Sequence, residues 1–369
     1  MTALWRRGLR PVAPAGGAAP VAVLLLLAQA IGAGSTGEGD AAIRAPERLV
    51  ETGLYREGHP GEIHPANRPF SPQYPLWTDG AAKRRWIHLP PGTPIDAADP
   101  AAWEFPVGTR LWKEFSFGGR KVETRMLWRA SDTRWVAVSY VWNADGTEAT
   151  LAPEEGVPGA ADLGNGKSHT IPARSDCAAC HGSSPRPLGF TALQLSDDRD
   201  PHALHAEPLT PGMLTLAALM REGLLTPARS GPASHPPRIR TASPRTRAAL
   251  GYLLANCGSC HARPGLIAGV EPFFREEDLL RDGDAVARAL VGRLTAWAAP
   301  QREGHTLLVD PSGPEASALV FRMRSRRPSS QMPPLGTVVR DQAAVDAIAE
   351  WIRTELPPQP APIQARRVP

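Results

Sequence analysis

Residues 110–142 read RLWKEFSFGGRKVETRMLWRASDTRWVAVSYVW, and this stretch decides the fold predicted for the first half of the chain. Side chains alternate with a period of two, which is typical of β-strands. The alternating positions are Leu111, Lys113, Phe115 and Phe117, then Val122, Thr124, Met126 and Trp128, then Val136, Val138, Tyr140 and Trp142. Gly118-Gly119 and Asp145-Gly146 supply turns. We therefore expect a β-rich region with an antiparallel sheet and a tryptophan-containing core within residues 74–151.

Two pentapeptides follow this region and contain all four cysteines of the chain. They are Cys177-Ala178-Ala179-Cys180-His181 and Cys257-Gly258-Ser259-Cys260-His261. Paired cysteines can form disulfides in an exported protein, or a zinc site with four thiolates. Neither alternative requires a histidine directly after each pair. With 10 His in 369 residues, chance places His after both pairs about once in a thousand sequences.

Covalent attachment of haem requires this arrangement of residues. Two cysteines three positions apart lie on one side of a helical turn, where both thiols can reach the vinyl groups of one porphyrin edge. The adjacent histidine then faces the iron as its proximal ligand. The sequence therefore predicts two haem c groups. Their predicted attachment sites are Cys177, Cys180, Cys257 and Cys260, and their predicted iron ligands are His181 and His261.

The first thirty residues have the pattern of a cleaved secretory signal. Arg6, Arg7 and Arg10 precede a short apolar run at residues 21–31, and Ala28-Gln29-Ala30 resembles a cleavage site. The apolar run is shorter than the roughly 20 residues that a membrane-spanning helix needs. Removing three arginines lowers the formal charge from +4 to +1, so charge gives no argument for nucleic-acid binding. The expected location is the periplasm, with no transmembrane segment in the mature chain.

Local signals divide the mature chain into segments. Residues 31–230 are predicted to be the β-rich domain with the first haem site, and residues 231–356 the domain with the second. Residues 226–245, rich in Pro, Ser and Arg, are interpreted as the linker between them. Ser243-Pro244 predicts a helix start before the second pentapeptide, and residues 341–354 predict a closing helix. Residues 357–369 form a Pro-rich tail.

Residues 243–356 resemble an all-α class I cytochrome c. The order of parts is that of the family: a helix, the pentapeptide at Cys257–His261, loops, Met332-Pro333-Pro334, and a last helix. The resemblance implies that Met332 is the distal ligand of the second haem, with Met323 as the alternative. It also implies that Gly251 lies where the two helices cross, against Trp351 or Ile348, and that the Pro264 carbonyl orients His261. A simple turn before Gly265 is the other interpretation of Pro264.

The whole mature chain resembles a family of bacterial dihaem c-type cytochromes with a β-rich N-terminal half. The matching stretches are residues 74–80 (YPLWTDG), 83–86 (KRRW), 105–109 (FPVGT), 123–125 (ETR), 188–190 (LGF) and 331–336 (QMPPLG). A weaker similarity relates residues 105–115 to the β-sheet haem domains of hydroxylamine-oxidising cytochromes, some of which cross-link a lysine, here Lys113, to haem.

The distal ligand of the first haem is left open by the sequence. The candidates are Met126, His169, His202, His205, Met213 and Met220, or no protein ligand at all. Lys83, Arg84 and Arg85 are candidates for neutralising haem propionates, although a solvated charged face is the commoner role of such a run.

These predictions favour electron transfer over catalysis, and no catalytic residue is predicted. The expected protein is a periplasmic dihaem cytochrome that relays electrons between a redox enzyme, such as a periplasmic dehydrogenase, and another cytochrome or acceptor. One alternative is a haem enzyme with an open first iron, peroxidase-like or oxidising a small nitrogen compound. Another is a module whose β-rich part docks a partner protein.

Overall fold

The alternating runs of residues 110–142 form the centre of a six-stranded antiparallel sheet in the computed structural model. The structure describes residues 43–99, 103–181, 187–226, 235–261, 274–295, 297 and 307–356. The predicted signal peptide, Pro264, residues 227–234 of the predicted linker and the Pro-rich tail lie outside these ranges.

Ten strands build the β-rich part. They are β1 (Tyr55–Arg56), β2 (His59–Ile63), β3 (Arg68–Pro69), β4 (Ala82–His88), β5 (Arg110–Phe117), β6 (Arg120–Arg129), β7 (Trp135–Trp142), β8 (Ala149–Leu151), β9 (Val157–Gly164) and β10 (Lys167–Ile171). Strands β3 to β8 lie side by side in chain order, whereas β1–β2 and β9–β10 form two separate antiparallel pairs. The prediction of a β-rich region with an antiparallel sheet is therefore confirmed.

The two faces of the large sheet differ in chemistry. On one face Trp86, Trp112, Met126 and Val138 lie opposite one another across β4 to β7 and are buried in an apolar cluster. On the other face Leu111 and its neighbours pack in a second apolar cluster with Phe190. The remainder of that second face carries basic side chains instead, at positions 83, 85, 113 and 125.

Six α-helices are present in the described residues. They are α1 (Arg174–His181), α2 (Leu216–Arg221), α3 (Pro244–Cys257), α4 (Glu276–Leu290), α5 (Ala318–Arg324) and α6 (Gln342–Glu355). The Ser243 side chain accepts a hydrogen bond from the Thr246 N–H at the start of α3, and the Asp341 side chain accepts one from the Ala344 N–H at the start of α6. Both helix starts are as predicted, because capping is encoded locally.

The prediction of an all-α class I cytochrome c domain after residue 230 is wrong. Only four α-helices and one short 3-10 helix lie in this part of the described chain, and β-bridges join Val291 to Val309 and Leu294 to Leu307. The apolar core around these helices also includes Tyr74 and Leu193 from the preceding half of the chain. The helices therefore do not close a core by themselves, since loop residues of the preceding half complete it.

The described residues from Ile43 onward form one compact unit. The domain boundary near residue 230 stays a prediction. Of the described helices, none combines the length and apolar character needed to cross a bilayer.

Candidate functional site

The first pentapeptide lies on α1, directly after the β9–β10 hairpin. The Cys177 thiol is free and half-buried, and burial raises its pKa. Cys177 lines a small cavity together with Ser139 of β7 and Pro172. The hairpin therefore directs this thiol toward the face of the sheet that carries the basic side chains.

The second pentapeptide begins at the last residue of α3. Burial, and then the neighbouring Cys260, raise the pKa of the Cys257 thiol to about 12. The N–H of His261 donates to the Cys257 carbonyl oxygen at 2.9 Å, and the His261 carbonyl accepts from the Phe274 N–H at 2.7 Å. Without a covalent attachment, the Cys257 thiol is therefore protonated at neutral pH and is held in a tight turn.

The two pentapeptides meet in space although they are far apart in the chain. The Cys260 sulfur lies 3.9 Å from the backbone oxygen of Ala179. Both residues are internal to their motifs, so any two groups attached there are neighbours.

Residues 74–80, the segment YPLWTDG, clamp the helix that carries the second motif. The Trp77 N–H donates to Asn256 Oδ1 at 2.8 Å, and Asn256 directly precedes the second pentapeptide. A Cβ atom at Gly251 would lie 2.1 Å from a ring carbon of Tyr74. The expectation that Gly251 faces Trp351 or Ile348 is therefore wrong, because Tyr74 occupies that space. Helices α3 and α6 do pack together, and Trp351 Nε1 donates to Thr246 Oγ1 at 3.0 Å.

A buried ionic network extends from the sheet to the segment that follows Met332. Asp79 Oδ1 accepts hydrogen bonds from the hydroxyl of Thr337 at 2.9 Å and from the next two backbone N–H groups at 2.8 and 2.9 Å. Asp79 Oδ2 lies 3.3 Å from His169 Nδ1, and His169 Nε2 lies 3.0 Å from Glu123 Oε1. Glu123 in turn forms an ion pair with Arg125. We call Asp79, His169, Glu123 and Arg125 the buried network.

The charges of the buried network compensate each other. An ionised carboxylate only accepts hydrogen bonds, so two ionised carboxylates at its two ring nitrogens favour the imidazolium form of His169, which donates from both. Burial works against this charge, but the hydrogen bonds to Asp79 and Glu123 outweigh it and raise the His169 pKa. Burial likewise opposes ionisation of the two carboxyls. Hydrogen bonds nevertheless lower the Asp79 pKa, and the Arg125 charge together with His169 lowers the Glu123 pKa to about 2.

Met332 and Met323 have different surroundings. Met323 is buried in the apolar core of the helical part. Met332 is half-buried on the segment after α5, and its N–H donates to the Arg322 carbonyl at 3.0 Å. Asp79 holds this same segment through residues 337–339, so it fixes the chain on which Met332 lies. Met332 stays the predicted distal ligand.

The candidate distal ligands of the first haem are scattered. His169 has both ring nitrogens at carboxylates, and Met126 is buried on the opposite face of the sheet from Arg125. His205 Nε2 is hydrogen-bonded to Asp341 at 2.9 Å. The three others lie in or near residues 202–220: His202 and Met220 are exposed, and Met213 is half-buried. The structure thus gives the two most buried candidates, His169 and Met126, other roles.

The buried network was not predicted as a unit from the sequence. The sequence offered three signals, the stretches 74–80 and 123–125 and His169 as a possible ligand, but no pattern that joins them. Comparison with protein-family models, with curated proteins and with solved structures gave no match. Across the described ranges, no three His, Cys, Asp or Glu side chains converge as a metal site.

Proposed function

We propose that this protein is an exported dihaem c-type cytochrome that transfers electrons between redox partners. The observation that carries the proposal is the 3.9 Å contact between Cys260 and Ala179. It makes neighbours of two pentapeptides whose residue types and order suit covalent haem attachment. Two haems attached there would be close enough to exchange electrons within one molecule. Bound haem iron would supply reversible one-electron chemistry.

The residues present fit two such groups. Cys177, Cys180, Cys257 and Cys260 would form the thioether bonds, and His181 and His261 would bind the irons. Met332 would be the distal ligand of the second, since a soft thioether favours the reduced iron and suits a carrier. A dehydrogenase or a second cytochrome in the periplasm would be the partner class. Resemblance to the bacterial dihaem family supports this proposal as well.

We expect mass spectrometry of the mature protein, made in a host that assembles c-type cytochromes, to show two haem additions. The double variant Cys177→Ala/Cys180→Ala should show one, because each pentapeptide binds its own group. Ser259→Ala is a matched control, since it lies within the second pentapeptide but forms no thioether, and it should keep both. Four unmodified sulfurs in the wild-type protein would overturn the proposal.

A second candidate function is a haem enzyme with an open first iron. It is favoured by the structure of His169 and Met126, because neither is free to approach that iron. Electron transfer predicts low-spin iron at both sites, whereas the enzyme requires a high-spin ferric signal from one haem together with peroxide reduction or oxidation of hydroxylamine.

We expect Met332→Ala to remove the Met–iron absorption band of the second haem, because the thioether ligand is lost. Met323→Ala is the control, since that side chain lies in the core, and it should keep the band at lower stability. A band that persists in Met332→Ala would show that another residue binds this iron.

A further inference from the structure

Four basic side chains line one face of the large sheet beside the first pentapeptide. They are Lys83, Arg85, Lys113 and Arg125, which we call the basic cluster. Arg85 lies opposite Lys113, and Lys113 opposite Arg125, on strands β4, β5 and β6. Ser139 of β7 lies opposite Arg125 and completes the row. Because strands are spaced about 4.8 Å apart, the row is roughly 14 Å wide.

The cluster surrounds a single buried ring. The Lys83 and Lys113 ammonium nitrogens lie 6.0 and 4.9 Å from the centre of the Phe115 ring, and the Arg125 guanidinium carbon lies 4.4 Å from it. Phe115 is fully buried. Three cations around one ring repel one another, and the ring's π-face compensates only part of that repulsion.

Counter-ions are too few for these charges. Arg85 pairs with Glu207 at 2.7 Å and Arg125 with Glu123 at 2.6 Å. Within the described part of the chain, neither Lys83 nor Lys113 forms an ion pair. Burial and then the charge of Arg85 lower the pKa of Lys83 to about 8, and the same two causes lower the pKa of Lys113 well below its ordinary value. An anion at the cluster would restore both charges.

Two buried polar atoms in the row also lack a hydrogen-bond partner among the described residues. They are Nη2 of Arg85, a residue only 6% exposed, and Oγ of Ser139, 7% exposed. An unpartnered buried polar group costs about 1–3 kcal/mol, more if charged, so such groups point to a missing ligand. Ser139 lines the same small cavity as Cys177. The unpartnered donors therefore lie in a row that begins beside the first pentapeptide, at Ser139, and ends at Arg85.

We propose that the basic cluster and Ser139 bind the two propionate carboxylates of the haem attached to Cys177 and Cys180. This inference rests on the proposed function. The two lysines without ion pairs match the two negative charges of the propionates, and Arg85 and Ser139 supply unused donors. Arg84, predicted with Lys83 and Arg85 for this role, points to the opposite face, where it pairs with Glu114 at 2.7 Å. The site therefore includes Lys113 and Arg125 and excludes Arg84.

The test compares two charge-matched double variants of the full-length holoprotein. Lys83→Gln/Lys113→Gln removes two charges from the cluster. Arg84→Gln/Lys121→Gln removes two from the opposite face, where Lys121 lies 4.1 Å from the Trp142 ring centre. Loss of positive charge beside a haem favours ferric iron, so one of the two reduction potentials should fall in the first variant and neither in the second. If both variants keep the wild-type reduction potentials, with both haems attached, the inference is overturned.

Two further measurements separate the other outcomes. Lys113→Arg keeps the charge and should keep the potential, so it provides a reading if the double variant does not fold. Titrating the wild-type holoprotein with inorganic phosphate should leave both potentials unchanged. A phosphate-dependent shift that the Lys83→Gln/Lys113→Gln variant lacks would mean that the cluster binds a free anion and not the propionates. Absence of haem by mass would instead contradict the proposed function.

Discussion

Asp79→Ala is expected to lower the free energy of unfolding by about 3–5 kcal/mol, the usual cost of removing one partner from a buried charge pair. The substitution leaves His169 and three donors of residues 337–339 without their acceptor. Asp79 also has a positive φ of 49°, a conformation that Asp and Asn tolerate better than Ala. Urea unfolding of the holoprotein measures the loss.

Asp79→Asn is the matched variant. Its Oδ1 atom can still accept from the hydroxyl and the two N–H groups, but its Nδ2 donor replaces the oxygen that faced His169 Nδ1, so both the charge and that hydrogen bond are lost. We expect a smaller loss than for Asp79→Ala. Asp132→Ala, at an exposed turn, should stay within about 0.5 kcal/mol of the wild-type protein. If Asp79→Ala lowered the free energy of unfolding as little as Asp132→Ala does, the buried network would not hold the sheet and the segment after Met332 together.

The stabilisation by this network should depend on pH. Asp79 and Glu123 have lowered pKa values, so their contribution is present above the unfolded values near 4 and is lost as pH falls through the folded values, which for Glu123 is about 2. His169 has a raised pKa, so its contribution is complete below about 6.5 and is lost as pH rises through the folded value. The difference between wild type and Asp79→Ala should therefore be greatest between about pH 4.5 and 6.5.

Features with a local cause could be predicted from the sequence. The period-two runs of β5, β6 and β7 follow from side chains that alternate between a buried and a mixed face. Ser243 and Asp341 fixed the starts of α3 and α6, because a cap acts within three residues. The haem prediction depends on the same kind of short-range spacing.

Features that depend on distant partners could not be predicted. Asp79, Glu123 and His169 lie in different parts of the chain. His169 is 90 positions from Asp79 and 46 positions from Glu123. The all-α domain was predicted from the order of helix, pentapeptide, Met-Pro and last helix that resembles class I cytochromes c, whereas Tyr74 and Leu193 supply part of the observed core. Helical periodicity shows which face of a helix is buried but not which residue covers it.

Gly251→Ala shows this limit as a measurable effect. In an unconstrained helix interior, replacing glycine by alanine stabilises the folded protein by about 1 kcal/mol, because alanine restricts the unfolded chain and favours the helix. Here the new methyl group would overlap the Tyr74 ring, with three ring atoms within 2.6 Å of it. The Tyr74 hydroxyl donates to Asp200 Oδ2 at 3.2 Å, and the Tyr74 backbone N–H donates to Gln194 Oε1 at 3.0 Å. The ring therefore cannot move freely.

We therefore expect Gly251→Ala to destabilise the protein by about 1–3 kcal/mol, the usual cost of overpacking a core. In a Tyr74→Ala background, where the ring is absent, the same substitution should be neutral or stabilising. The double-mutant cycle then gives a coupling energy that helix propensity alone cannot produce, because propensity is the same in both backgrounds. Equal effects of Gly251→Ala in the two backgrounds would contradict the placement of Tyr74 against α3, and with it the clamp that residues 74–80 form on the second pentapeptide.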